Sequence, residues 1–186
     1  MVKTRYVKYN DLSFECPDYY DIGNFPSSDE VYKSIVALSK TNRECEIYVM
    51  VYRGYAFDNN AIRNNNLLRR YLELKNYYNI SNNPYLPYCF NARIDYGEIT
   101  IKSTIAFNFD HDDVIMIVGN VMHFSNYSCN DDIKIILKTV EYNEPINVAY
   151  FTGSVICSDC DFGYNASLHD SCPNCGSIWG VPLRKK

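Results

Sequence analysis

The sequence has no long apolar run and no apolar stretch at its N-terminus. No segment approaches the ~18 consecutive apolar residues that a membrane-spanning helix needs. The opening residues, MVKTRYVKYN, also lack the apolar core of a secretory signal peptide. From these two absences we expect a protein that works inside the cell, in the cytoplasm or nucleus, with no membrane partner.

Signatures of several common enzyme classes are missing as well. The chain has no phosphate-binding glycine loop, no nucleophile elbow and no His-x-Glu deaminase signature. It contains only three His and one Trp. We therefore lean towards a protein that is not an enzyme, and an active site without a known signature stays open as an alternative.

Positive charge is in slight deficit. The chain has 18 Lys and Arg against 22 Asp and Glu, which gives a net charge of −4. A protein that binds nucleic acid over its whole surface neutralises phosphates with Lys and Arg, so we expect a protein complex as the partner. A local nucleic-acid contact stays open, because Arg63 and Arg70 would share one face of a predicted helix. A charged face is, however, the default for any amphipathic helix.

The composition is that of a soluble globular protein, with 47% hydrophobic and 22% charged residues. A length of 186 residues allows one ordinary domain and a small appendage. Tyr is frequent at 18 residues, and Asn and Ile are abundant. These residues have AT-rich codons, so we expect an AT-rich genome, such as that of a large DNA virus.

The first half of the chain predicts a mixture of helix and strand. Residues 1–26 look irregular because Pro and Gly interrupt them. A capping box and helical spacing of apolar residues predict a helix over 28–40. A β-branched and aromatic run predicts a buried strand at Ile47–Tyr52, and a second amphipathic pattern predicts a helix over 61–79.

The second half predicts a β-meander or small barrel. Apolar residues alternate strictly over 99–109, which indicates one long strand or two. Gly119-Asn120 is typical of a hairpin turn, and alternation over 133–139 predicts a further strand. A last strand over 146–156 leads into a cysteine pair. The predicted fold class is α+β, with a body at 1–149 and a small module at 150–186 packed on it.

Four cysteines form the densest motif. Cys157 and Cys160 are separated from Cys172 and Cys175 by an eleven-residue spacer. Zinc prefers four thiolate or imidazole ligands in a tetrahedron, and two Cys-x-x-Cys turns supply such a set from opposite sides. We expect one structural Zn²⁺, because four thiolates close the shell that a catalytic zinc keeps open.

Other interpretations of the motif are weaker. Two disulfides are disfavoured, since the chain has no signal peptide and Cys-x-x-Cys loops are tight. A redox pair is disfavoured, because two paired motifs favour a shared metal. His169 lies in the spacer and would replace a ligand only if the four-cysteine set were incomplete.

The pattern Cys-Ser-Asp-Cys, spacer, Cys-Pro-Asn-Cys-Gly resembles the zinc-ribbon superfamily over about residues 150–182. The resemblance implies two zinc knuckles on short β-hairpins, with Cys157, Cys160, Cys172 and Cys175 as ligands. It implies no single activity, because zinc ribbons occur in transcription factors, polymerase subunits, ribosomal proteins and enzymes. Residues 1–149 resemble no family.

Three other groups of residues are candidates for a functional role. Trp179 suits packing against the knuckles better than an exposed stacking platform, although it stays a candidate for partner binding. The cluster at 110–113 carries three Asp and one His, and a polar loop between strands explains it better than catalysis. The remaining cysteines are expected to be reduced thiols; they are Cys16, Cys45, Cys89 and Cys129.

These observations favour an intracellular zinc-ribbon protein that binds or regulates a transcription or replication complex. One alternative is an enzyme with a purely structural zinc and an active site within residues 1–149. Another is a structural subunit of a large assembly, in which Tyr-rich termini would fold over neighbours.

Overall fold

The computed structural model describes residues 2–9, 11–24, 32–40, 44–52, 64–110 and 113–183. The chain divides into two compact units, which we call the body (Met1–Tyr142) and the C-terminal unit (Asn143–Lys186). The described residues are mostly strand with two α-helices, and α+β is therefore the fold class. None of the helices in the described ranges is long and apolar enough to cross a membrane.

The body is built on a seven-stranded antiparallel sheet. Its strand order is β3-β4-β5-β9-β8-β7-β6. The strands are β3 (Tyr20–Asn24), β4 (Tyr32–Lys40), β5 (Cys45–Tyr52), β6 (Tyr78–Asn82), β7 (Cys89–Tyr96), β8 (Ile99–Asp110) and β9 (Asp113–Met122). The predicted meander is present as β7-β8-β9, but it joins strands from the first half because β9 pairs with β5.

A second, three-stranded sheet has the order β1-β2-β10. Its strands are β1 (Thr4–Tyr9), β2 (Leu12–Pro17) and β10 (Glu141–Tyr142). The expectation of irregular structure at 1–26 was therefore wrong. Strand formation buries Phe14 and Cys16 completely, and the Pro residue ends β2 rather than interrupting it.

Two helices cover the large sheet. They are α1 (Asn65–Leu74) and α2 (Asn130–Thr139). The Asn64 side chain caps α1 by accepting a 2.9 Å hydrogen bond from the Asn66 N–H. The predicted second helix is confirmed over 65–74, and its proposed first residues, 61–63, lie outside the described residues. Its proposed end at 79 was wrong, because Lys75 caps the helix and β6 begins at Tyr78.

The two helices lie over opposite faces of the sheet. Successive side chains of a strand alternate between faces. Ile117 of β9 belongs to the core cluster that contains Ile133 of α2, whereas the adjacent Met116 belongs to the cluster that contains Leu72 of α1. The body therefore has one core on each side of a shared sheet.

Two element types were predicted wrongly. The helix expected over 28–40 is strand β4 from residue 32 onwards, a strand whose Ile35 and Val36 are buried in the cores on opposite faces. The strand expected over 133–139 is helix α2, in which Ile133 and Ile136 are buried one turn apart. Both segments are short and apolar enough to fit either period.

Gly119 does not form the predicted hairpin turn, because β9 runs unbroken from Asp113 to Met122. A Cβ atom at Gly119 would lie 2.5 Å from Cys129 Sγ and 2.9 Å from Ile133 Cδ1. The glycine therefore permits the close approach of α2 to the sheet. Of the one or two strands expected over 99–109, the structure has one, β8, and the strand expected at Ile47–Tyr52 is confirmed within β5.

The C-terminal unit contains a four-stranded antiparallel sheet of order β11-β14-β12-β13. Its strands are β11 (Ile146–Asn147), β12 (Ser154–Cys157), β13 (Gly163–Asn165) and β14 (Trp179–Pro182). The single strand expected over 146–156 was wrong, because a 3₁₀ turn at Val148–Tyr150 interrupts it. The core of this unit is small; its buried members are Val148, Val155 and Ala166.

Candidate metal centre

Four cysteine sulfurs meet in the C-terminal unit. The Sγ atoms of Cys157, Cys160, Cys172 and Cys175 all lie within 4.8 Å of one another. The Cys157–Cys175 sulfurs are 3.5 Å apart and the Cys160–Cys172 sulfurs are 3.6 Å apart. A tetrahedron of sulfurs around Zn²⁺ with bonds of about 2.3 Å has edges of about 3.8 Å. The cluster therefore has the size and donor set of a metal site.

The first pair sits in a tight turn that we call knuckle 1 (residues 157–162). The Asp161 N–H donates to the Cys157 carbonyl at 3.1 Å, and the Cys157 N–H donates to the Phe162 carbonyl at 2.9 Å. Asp161, the residue after Cys160, has a φ of 57°. Asp tolerates this left-handed conformation better than most residues do.

The second pair repeats the same backbone in knuckle 2 (residues 172–177). The Gly176 N–H donates to the Cys172 carbonyl at 2.8 Å, and the Cys172 N–H donates to the Ser177 carbonyl at 2.7 Å. Gly176, the residue after Cys175, has a φ of 78°. Two different sequences thus adopt one turn geometry, and each turn presents two sulfurs to a common centre.

Hydrogen-bond donors face the outer sulfur of each knuckle. The Asn174 side-chain amide donates to Cys160 Sγ at 3.4 Å, and the Phe162 N–H donates to the same sulfur. The Ser177 N–H donates to Cys175 Sγ in the equivalent position. Such donors stabilise a thiolate, the form that binds metal.

The two outer thiols do not ionise alike. The Asn174 hydrogen bond, helped by the Phe162 N–H, lowers the pKa of Cys160 to about 6. At Cys175 the Ser177 N–H acts to lower the pKa, but the neighbouring thiols Cys160 and Cys157 outweigh it and raise the pKa to about 12. Clustered thiols titrate as a set. A fully ionised set therefore needs a cation at its centre.

Burial differs within each knuckle. Cys157 and Cys172, the first cysteines, are buried, whereas Cys160 is half-buried and Cys175 is exposed. The first cysteine of each knuckle is therefore shielded from solvent, and the second lies nearer to it. Four sulfurs complete a tetrahedral shell and leave no position for a substrate or water.

None of the other predicted site residues that the structure describes is a member of the sulfur cluster. Trp179 begins β14 and is 48% exposed, and its carbonyl accepts a 3.1 Å hydrogen bond from the Ser158 N–H of knuckle 1. His169 is not in the cluster; its ring lies 6.3 Å from the Tyr164 ring. Arg70 is exposed on α1, and Arg63 lies outside the described residues.

Among the described residues, the four sulfurs are the one group of side chains placed to hold a metal ion. Within the sequence cluster at 110–113, His111 and Asp112 lie outside the described residues. The four other cysteines form no disulfide with a described residue, and all are buried; they are Cys16, Cys45, Cys89 and Cys129.

One hydrogen-bond network in the body was not predicted from the sequence. Asp132 is only 4% exposed and accepts hydrogen bonds from the hydroxyls of Tyr19, Tyr20 and Tyr127. Tyr20 belongs to β3 and Tyr19 directly precedes it. Tyr127 lies in the segment before α2, and Asp132 lies in α2 itself. No local sequence motif indicates such a cluster, because most of the body's sequence separates Tyr20 from Asp132.

Comparison with known proteins identifies a fold neighbour and no family. No protein-family model matches the chain, and no curated protein matches it in sequence. The chain is similar in structure to the cyanobacterial PsbP (CyanoP) from Synechocystis sp. PCC 6803, solved in solution. The TM-score is 0.50 at 8% identity, with 76% of this chain and 94% of that chain covered. At this identity the likeness concerns the fold alone.

Proposed function

We propose that this protein is a zinc-dependent, non-catalytic binding component of an intracellular macromolecular complex of the transcription or replication type. The observation that carries the proposal is the convergence of four cysteine sulfurs from two equivalent knuckles. Zn²⁺ suits this site because it accepts four thiolates in a tetrahedron without redox change. The zinc would hold the unit together and take no part in chemistry.

A structural zinc also matches the small size of the C-terminal unit. Its buried apolar core, outside the cysteines, consists of Val148, Val155 and Ala166. Domains of about 40 residues or fewer usually need a metal or disulfides to fold. Zinc would join knuckle 1 to knuckle 2 and stabilise the sheet between them.

A protein partner fits the surface of this unit better than nucleic acid does. Six of its large apolar side chains are substantially exposed. The whole chain carries a net charge of −4, which disfavours binding to the phosphates of nucleic acid. Exposed aromatic residues such as Trp179 and Tyr150 are typical anchors of protein interfaces. The six are Tyr150, Phe162, Leu168, Ile178, Trp179 and Leu183.

The zinc is tested by elemental analysis of the purified chain. We expect one zinc per chain, and Cys172→Ser should lose most of it because three thiolates leave the shell open. Cys89→Ala serves as the control, since it removes a buried cysteine of the body that lies outside the cluster. A folded, metal-free C-terminal unit with oxidised cysteines would contradict the proposal.

The partner is tested by affinity capture from the native cell. Wild-type protein should recover subunits of a transcription or replication assembly, and Cys172→Ser should not. Trp179→Ala should weaken the capture while it retains zinc, because Trp179 is not a ligand. Recovery of the same proteins by zinc-free and zinc-loaded protein would count against a zinc-dependent binding function.

A further inference from the structure

A polar cleft opens on the α2 side of the large sheet, beside the start of α2. Its volume is about 270 Å³. This is slightly below the range of about 300–1,000 Å³ that is typical of small-molecule sites. Strands β7 and β8 contribute Asn91, Arg93, Lys102 and Thr104 to its wall, and α2 contributes Asn130.

Two cations stand side by side in this wall. Arg93 of β7 and Lys102 of β8 are direct cross-strand partners, so their side chains leave the sheet on the same face. Like charges in this register destabilise a sheet. Neither side chain forms an ion pair within the described residues, and Lys102 Nζ donates only to the Ser125 carbonyl, at 2.9 Å.

The acidic side chains near this pair form no ion pair with it among the described residues, although the pKa of Asp95 is lowered by two hydroxyl hydrogen bonds and, in addition, by Arg93. Asp95 lies two positions beyond Arg93, and its Oδ1 accepts hydrogen bonds from the hydroxyls of Tyr78 at 2.8 Å and Thr100 at 2.7 Å. Asp131, next to Asn130, is exposed and is not a lining residue. The described lining contains no carboxylate at all.

The buried Asn83 orients the side-chain amides of Asn91 and Asn130 in the cleft wall. This residue is 5% exposed, and its Nδ2 donates to the Oδ1 atoms of Asn91 and Asn130, each at 3.2 Å. The Thr104 hydroxyl lies 3.4 and 3.3 Å from the same two oxygens. Because both oxygens are used inside the protein, the NH₂ groups of Asn91 and Asn130 are left as donors.

Asn83 is itself held in place. Its backbone N–H donates to the Cys89 carbonyl at 2.8 Å, and its Oδ1 accepts from the Tyr85 N–H at 2.9 Å. The orientation of the outer amides is therefore set before any ligand arrives. Preorganised donors lower the entropy that a ligand must lose on binding.

We propose that this cleft binds the phosphate group of a small phosphorylated molecule. The guanidinium of Arg93, the ammonium of Lys102 and two amide NH₂ groups supply donors and positive charge, and no described lining residue is a carboxylate. Phosphate accepts several charge-assisted hydrogen bonds at once, and Arg matches its geometry in a bidentate manner. The anion would also relieve the repulsion between Arg93 and Lys102. This site is independent of the zinc.

The direct test is calorimetric titration of the full-length, zinc-loaded chain in a phosphate-free buffer of low ionic strength. Inorganic phosphate and glycerol phosphate are the probes, and we expect saturable binding to a single site for both. The double variant Arg93→Gln/Lys102→Gln should bind at least tenfold more weakly. Arg70→Gln removes one positive charge from α1, over the opposite face of the sheet, and should bind as the wild type does.

Asn91→Asp provides a variant that keeps the fold. Its carboxylate retains an oxygen for Asn83 and Thr104, but the outward donor becomes an anionic acceptor. We expect it to lose phosphate binding while its melting temperature without phosphate stays equal to the wild type or rises, because the new charge pairs with the cations. Zinc content should be unchanged in every variant.

Three results would overturn the site. They are the absence of saturable binding of either probe by wild type, an undiminished affinity in the double variant, and an equal loss in Arg70→Gln. The last would mean that phosphate associates with positive charge anywhere on the surface.

Discussion

The hydroxyl of Tyr20 donates a 2.8 Å hydrogen bond to Oδ2 of Asp132 and thereby joins β3 to helix α2. Tyr19 donates to the other carboxylate oxygen at 2.5 Å, and Tyr127 donates to the same oxygen as Tyr20. The Lys40 ammonium lies 3.6 Å from the centre of the Tyr127 ring. A buried carboxylate is therefore satisfied by three phenols and no direct ion pair among the described residues.

Removing this carboxylate should destabilise the body. Asp132→Ala leaves three hydroxyls without their acceptor, and we expect a loss of about 3 kcal/mol in the free energy of unfolding. Asp131→Ala alters the exposed neighbour on α2 and should change it by less than about 0.5 kcal/mol. Urea unfolding of zinc-loaded protein measures both, and equal losses would mean that the network contributes little.

The same network should make the body sensitive to alkali. Burial, followed by the hydrogen bond to Asp132, raises the pKa of Tyr19 to about 12. The folded state thus holds a proton that the unfolded chain releases near pH 10, so stability should fall as pH rises from about 10 to 12. Unfolding curves across this range test it, and Tyr19→Phe should show a shallower fall. An equally steep fall in the variant would exclude Tyr19 as a source.

The φ angle of Gly176 should matter for zinc retention. A Cβ atom at Gly176 meets nothing within 4 Å, yet its φ of 78° disfavours any L side chain, so Gly176→Ala should cost about 1 kcal/mol. Gly163 also has open space but no positive φ, and Gly163→Ala is the matched control. Competition with a chelator should show faster zinc loss in Gly176→Ala alone. Equal rates for both variants would mean that the left-handed turn is not limiting.

Gly119 should be sensitive for a different reason. Its φ is ordinary, but an added methyl would meet Cys129 and Ile133 of the α2 segment at 2.5 and 2.9 Å. We expect Gly119→Ala to destabilise the body by about 1–3 kcal/mol through overpacking. Gly23→Ala, whose Cβ has its nearest neighbour at 3.8 Å, is the control. The double variant Gly119→Ala/Cys129→Ala should recover part of the loss, and no recovery would contradict steric contact with Cys129.

Local patterns predicted the parts of this molecule whose cause is local. The spacing of Cys157, Cys160, Cys172 and Cys175 identified all four members of the sulfur cluster, because a Cys-x-x-Cys turn brings its own sulfurs together. The strict alternation in β8 likewise indicated its strand. In contrast, β4 and α2 were assigned the wrong type. In β4 both faces are buried, and α2 contains a run of Ile. In each case the spacing of apolar residues no longer distinguishes a strand from a helix.

The polar cleft and the tyrosine network could not be predicted, because they depend on tertiary register. Asn83 and Asn91 become neighbours when β6 pairs with β7, and Asn130 joins them only when α2 packs beside these strands. Asparagine is abundant throughout the chain, so its presence at these positions carries no signal. Gly119 shows the same limit: its sequence context favours a turn, whereas tertiary packing uses it for a close approach.

X-ray absorption at the zinc edge of the purified chain examines the metal centre itself. We predict one zinc per chain surrounded by four sulfurs at about 2.3 Å, with no nitrogen or oxygen in the shell. A nitrogen or oxygen ligand, a different metal, or a metal-free protein with oxidised Cys157, Cys160, Cys172 and Cys175 would contradict a closed structural zinc.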